Sequence, residues 1–385
     1  MAQGSRSQGS TGGLARISSQ QLLSLAYTMH FTAAVLVAPS SMAKFGHSGA
    51  WLAPPVAFLL SALPVSLMLG LLVRRHPHQT LAQMTRHLLG PVLGRLVGLT
   101  VSVFSVVVAA ATLRDVVEVT PVAILPATPA WALSVPFLLV TLYGAYSGVE
   151  VVARLSYLFA LATVMVILLG ISTLTGLIHP LRLLPLYERS PLQLLQASWP
   201  AMGWFAESWS FIAVAALVDR EERVGRSLVL GAALAALMLT AFTALAITVF
   251  GHQLVAQFSF PIYSLVQQIA IGEFVERLDV LLFAVWLVGM LVKVSAHLWM
   301  AASGAGCALA LKNQRQILPA LGLAAHILMS LVPNLNWLTQ FSINIWTPIS
   351  LSLGLGVPAL LLAASWVRQQ RQCGGMGPDA QQQSQ

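Results

Sequence analysis

Ten apolar runs divide this chain, and they leave it few ways to fold. They cover about 18–43, 49–73, 94–113, 131–149, 155–178, 194–218, 227–250, 280–310, 317–333 and 343–367. Roughly 20 apolar residues at about 1.5 Å each cross a hydrocarbon core. In lipid the backbone must satisfy its own polar groups, so runs of this length are helices. Only 8% of the 385 residues are charged, against about a quarter in a soluble domain. The expectation is an all-α polytopic membrane protein with about ten transmembrane helices.

The basic residues fix an orientation. With the N-terminus inside, the inner segments carry 14 of the 20 Lys and Arg and the outer segments 5, with Lys293 inside a span. Cytoplasmic loops concentrate Lys and Arg, so both termini are expected on the cytoplasmic side of the membrane. The formal net charge of +8 is explained by this bias and implies no nucleic-acid partner. Residues 1–16 and 369–385 are polar and Gly/Ser/Gln-rich and read as disordered cytoplasmic tails. No apolar stretch of a cleavable signal peptide precedes the first span. The single transmembrane domain is then 17–368.

Two connections hold more than a turn. In Pro77 to Gly94, Leu81, Met84 and Leu88 form an apolar stripe with Arg86 and His87 toward water, which reads as a short interfacial helix. His252 to Asp279 reads as an amphipathic or re-entrant segment on the outer face.

Span one and span six are both interrupted. The first contains His30, Thr32 and Pro39, and the sixth contains Pro200 and Gly203. Five spans follow from each start, so the halves, about 17–178 and about 194–367, enter from opposite sides. Interrupted spans at corresponding positions of an inverted repeat point to a binding site at mid-membrane. The site is expected at Phe31, Thr32, Ala33 and Ala34 facing Gly203, Trp204 and Phe205, with His30 as a candidate for ligand contact. Met29, Phe31, Trp204 and Phe205 could equally be plain core. Ser102 and Ser105 share one face of span three, where they could line the pocket or bond their own helix.

Two ionisable groups lie inside spans. Glu207 follows Gly203 by one helical turn, and Lys293 lies near the middle of span eight on one face with Gly289 and His297. Such charges are costly in lipid and face the bundle interior. Several readings stand: proton or ligand sites, or structural charges that pair with each other or with backbone carbonyls, or that snorkel to an interface. Two isolated cysteines, Cys307 and Cys373, give neither a disulfide framework nor a metal spacing. No GxxxxGK[ST] loop or catalytic spacing is present, so neither an enzyme nor a cofactor is expected.

The order of short motifs adds a resemblance. Ile17–Gln21 leads into span one, and Pro39 is followed by Gly49–Trp51. Leu89–Gly90 and Leu93–Gly94 precede span three, and Leu125–Pro129 precedes span four. Ser147–Glu150, Ala153–Arg154, Leu184–Pro185, Phe260–Pro261 through Ser264, Glu276–Arg277 and Val285–Trp286 follow. Together they resemble the spore germination receptor B-subunit family (GerAB-like), within the amino acid–polyamine–organocation (APC) superfamily. The resemblance implies a LeuT/APC-like fold, a 5+5 inverted repeat with broken helices one and six. It implies a small ligand, typically an amino acid, between those breaks, and partner A and C subunits. It also implies a sodium ion, or a lysine standing in for it, between spans one and eight, a place Lys293 could fill. Where the family favours a Gly-rich break, this chain reads Thr32–Ala33–Ala34. The expected function is a germinant-sensing receptor subunit. The alternative is a proton-coupled amino-acid permease.

Overall fold

The computed structural model describes residues 16–185, 190–268 and 278–374. Fourteen helices make up these segments. The first ones are α1 (Ser19–Gly46), α2 (Ala53–Ala57), α3 (Leu63–Arg75), α4 (Leu81–Ala123), α5 (Ala130–Ser147), α6 (Val149–Thr173) and α7 (Pro191–Ala206). Then come α8 (Val224–Phe250), α9 (His252–Gln257), α10 (Pro261–Val266) and α11 (Leu278–Leu309). The last are α12 (Leu318–Ser330), α13 (Leu335–Phe341) and α14 (Thr347–Gly374). Single π-helical turns at Phe58–Ala62 and Ser342–Trp346 join α2 to α3 and α13 to α14. Each of the ten expected spans coincides with helix. Seven helical stretches among the described residues are long and apolar enough to cross a membrane, and the first, Ser19–Arg75, holds two spans.

Local sequence explains where the long helices start. Ser18 with Gln21, Thr80 with Gln83 and Ser190 with Gln193 each form a capping box that satisfies the first free N–H groups. Gly90, at φ 84°, bends α4 between an inner limb and the membrane-length part, a conformation open to glycine. On that limb Leu81, Met84 and Leu88 are buried while Arg86 and His87 are exposed. The stripe read from the sequence therefore packs as expected. α14 runs on to Gly374, into the stretch read as tail. Residues 1–15 and 375–385, and most of the loop ahead of Asp279, lie outside the described residues.

Helix α1 is the axis of the bundle. Every residue from Ser24 to Leu36 is buried, and the helix lies against α6, α7, α8 and α11. α11 packs along α4 to complete the centre. α5 and α6 sit outside and turn Leu139, Tyr143, Leu158 and Met165 outward, as a lipid-facing surface requires. Small residues let helices approach. A Cβ at Gly70 of α3 would lie 2.6 Å from the Gly225 Cα of α8.

One expectation is corrected. The first span is not broken: α1 is continuous from Ser19 to Gly46, with Pro39 inside it. Proline removes a single N–H, the partner of the Val35 carbonyl, and no glycine stands before it to let the chain unwind. The break in the sixth span is present and falls after Gly203. α7 ends at Ala206, and tighter 3₁₀ turns cover Glu207–Ala213 and Ala215–Leu217.

Candidate functional site

The end of α7 creates the site. The last four carbonyls of a helix lack partners within it. Three of these four are taken by side chains. Ser350 Oγ donates to the Gly203 carbonyl at 2.8 Å, His30 Nδ1 lies 3.1 Å from the Trp204 carbonyl, and Ser208 Oγ lies 2.9 Å from the Phe205 carbonyl. A carbonyl accepts, so His30 carries its proton on Nδ1 and its Nε2 accepts from the Ser208 hydroxyl at 2.9 Å. His30 is thus a bridge between α1 and α7, its ring stacked on Phe205 with centroids 5.4 Å apart.

Beyond this cap the chain places Glu207, the first residue of the tighter turn. Its Oε2 accepts from Lys293 Nζ at 2.8 Å, with both side chains almost fully buried. Lys293 Nζ donates a second bond to the Met29 carbonyl of α1 at 2.9 Å. Two turns away on α11, Trp286 Nε1 donates to the Thr32 carbonyl at 3.0 Å. Spans one, six and eight therefore meet at one ammonium. Desolvating two charges is expensive, and Lys293 offsets part of that cost by using two of its three N–H donors. His297 is one turn from Lys293 on α11, fully buried, with Nε2 3.8 Å from Glu207 Oε2 and no hydrogen-bond partner among the described residues.

A cavity of about 30 Å³ opens beside this pair. Its walls include Ala33 of α1, Thr112 and Asp115 of α4, Trp204 and Glu207, Lys293, and the π-helical turn around Trp346. By the measure in which a water needs about 10–15 Å³, it has room for about two waters. A second cavity of about 70 Å³ lies elsewhere around α1, walled by Phe31, Val35, Phe159, Phe242 and Trp286 among others. Its walls are almost wholly apolar and offer little to orient a polar molecule.

The residues singled out from sequence separate into groups. Ala33, Trp204, Glu207 and Lys293 line the polar cavity, and Met29 contributes its carbonyl to Lys293. Phe31 faces the apolar cavity. Thr32 Oγ1 bonds its own helix at the Thr28 carbonyl, 2.7 Å away, and Ala34 is buried in the core. Ser102 and Ser105 are buried at least one turn from the part of α4 that lines the cavity. Gly203 is closed over by α14, since a Cβ there would lie 2.6 Å from Thr347 Oγ1. Phe205 and His297 touch neither cavity. Asp115 was not anticipated, because Arg114, Asp115 and Glu118 look like the end of a span. Helical spacing is the missed signal: Val108, Ala111, Thr112 and Asp115 share one face.

The fold and the site define a class. A solved transporter of the nucleobase-cation-symport-1 family, in a closed conformation with bromovinylhydantoin bound, superposes with a TM-score of 0.59 over 93% of this chain and 80% of that one, at 13% identity. The chain is an all-α polytopic membrane protein with an APC/LeuT-like transporter fold. It belongs to the spore germination protein family, whose model matches residues 16–337. It is 25% identical over 318 residues to spore germination protein KB of Bacillus subtilis (strain 168), covering 82% of this chain and 84% of that protein. It is 24% identical over 267 residues to the putative spore germination protein YfkT of the same organism, covering 69% and 73%.

Proposed function

We propose that this chain is a germinant-receptor B-like subunit. It binds a small germinant, an amino acid, in the polar cavity beside Glu207 and Lys293 and signals to A and C subunits. It sits in the cell or spore inner membrane with both termini cytoplasmic. The observation that carries this reading is the meeting of α1, α7 and α11 at the Lys293 ammonium next to a cavity. A ligand entering there changes the contacts of three helices at once, which is what a sensor needs. The cavity must widen to admit an amino acid, and the one-turn π-helix beside Trp346 is the wall least committed to regular helix.

The test is amino-acid binding to the full-length protein in lipid nanodiscs, read by tryptophan fluorescence. Ala111→Trp, which fills the cavity from α4, should abolish a saturable signal. Unchanged binding in that variant removes the ligand from this cavity. The permease reading is favoured by the transporter neighbour with its bound ligand. Uptake of a bound amino acid into proteoliposomes, driven by an imposed pH gradient, would establish it in place of pure sensing.

A further inference from the structure

Asp115 is the charge of the cavity that the protein itself leaves uncompensated. Its neighbour Arg114 is turned away, bonded to Glu118 and to the Pro333 carbonyl. Glu207 is spent on Lys293. Among the described residues Asp115 makes no hydrogen bond and no ion pair, although it lines the same cavity as that pair. The other polar groups of the wall, such as Thr112, Thr339 and Ser342, are neutral hydroxyls. The ionisable groups of the cavity are thus one amine and two carboxyls, so an ionised Asp115 leaves it with one negative charge in excess. A carboxylate held among membrane helices without a counter-charge is costly, and a cation that reaches it recovers that cost. Trp204 and Trp346 stand in the same wall, and indole faces attract a desolvated cation.

We infer that this cavity selects ligands with a net positive charge, seated through a primary ammonium group on Asp115. The ligand class is a basic amino acid or a small amine, in preference to a neutral zwitterion. Lys293 keeps one unused N–H, which a ligand carboxylate could accept, but Glu207 already balances its charge. The inference rests on the proposal that this cavity is the ligand site.

L-lysine and L-norleucine test it, because they have the same chain length and differ in the terminal ammonium. Both are titrated onto the full-length protein in nanodiscs. The wild type should bind lysine about ten- to a hundredfold more tightly than norleucine, the worth of one charge-assisted contact. Asp115→Asn should remove the preference by weakening lysine binding, whereas Asp115→Glu should retain the preference. Size-exclusion profiles show whether either variant is folded, and the glutamate variant decides the matter if the asparagine variant is not. Equal affinities, tighter norleucine, no lysine binding, or an undiminished preference in Asp115→Asn overturns the inference. Ala111→Trp separates the two levels. If it abolishes binding of both probes, the cavity is the site whatever its charge preference. If it leaves both unchanged, the cavity reading fails and the inference falls with it.

Discussion

A side chain that is buried and charged is held in place by its partner, and the Lys293–Glu207 pair shows how strongly. Removing one member leaves the other desolvated and alone, at a cost of about 3–5 kcal/mol, while replacing both with apolar groups is often nearly neutral. Lys293→Met should therefore lower the unfolding temperature in detergent more than Lys293→Met combined with Glu207→Met. A double variant no more stable than the single one would show that the two are not energetically coupled. If Lys293 stands in for a sodium ion beside α1, ligand binding should be the same in sodium-free and sodium-containing buffer. Both residues were visible in the sequence, since charges inside apolar runs are rare, and their pairing was one of several readings open there. Asp115 was hidden for the opposite reason. Its run seemed to end at Leu113, because the Arg114–Glu118 pair that lets α4 continue is a contact one turn apart and not a composition.

Among the elements, α1 and α7 depart from the expected symmetry in instructive ways. Proline and polar residues mark where a helix can break, but neighbouring helices decide whether it does. The Met29 and Thr32 carbonyls of α1 already accept from Lys293 and Trp286, and α1 stays whole. In α7 the break was legible to within one turn. Gly203, which suggested it, serves another purpose: it lets α14 approach so closely that a Cβ would also lie 3.1 Å from the Thr347 Cα. Gly203→Ala should thus destabilise the α7–α14 contact by about 1–3 kcal/mol, the usual cost of overpacking. Thermal unfolding in detergent measures it, and Thr347→Ala, which removes the nearest atom, should recover part of the loss. A variant as stable as the wild type would mean that α14 can step back freely.

For the whole molecule, the all-α polytopic layout followed from run length alone, because hydrocarbon thickness acts on the chain independently of its packing. Reporter fusions after Gln385 should be active only on the cytoplasmic side. Activity confined to the outer face would invert the orientation and the assignment of every loop. What run length and charge could not show is how distant segments are tied together. Ile17 N donates to the Leu217 carbonyl at 2.9 Å, and Asp219 N donates to the Ile17 carbonyl at 3.0 Å, with Ile17 fully buried. The entry to α1 and the C-terminal end of the sixth span are therefore laced edge to edge. Ile17→Pro cuts one lace by removing its N–H. It should spare ligand binding in nanodiscs while uncoupling the two ends, seen as faster amide exchange at Val218 and Asp219. The consequence is mechanical. Torque applied to the chain ahead of Ile17 reaches the turns after α7 as through a crank. A pull on Ile17 is thereby carried to the segment that holds Glu207, along a route that bypasses the cavity.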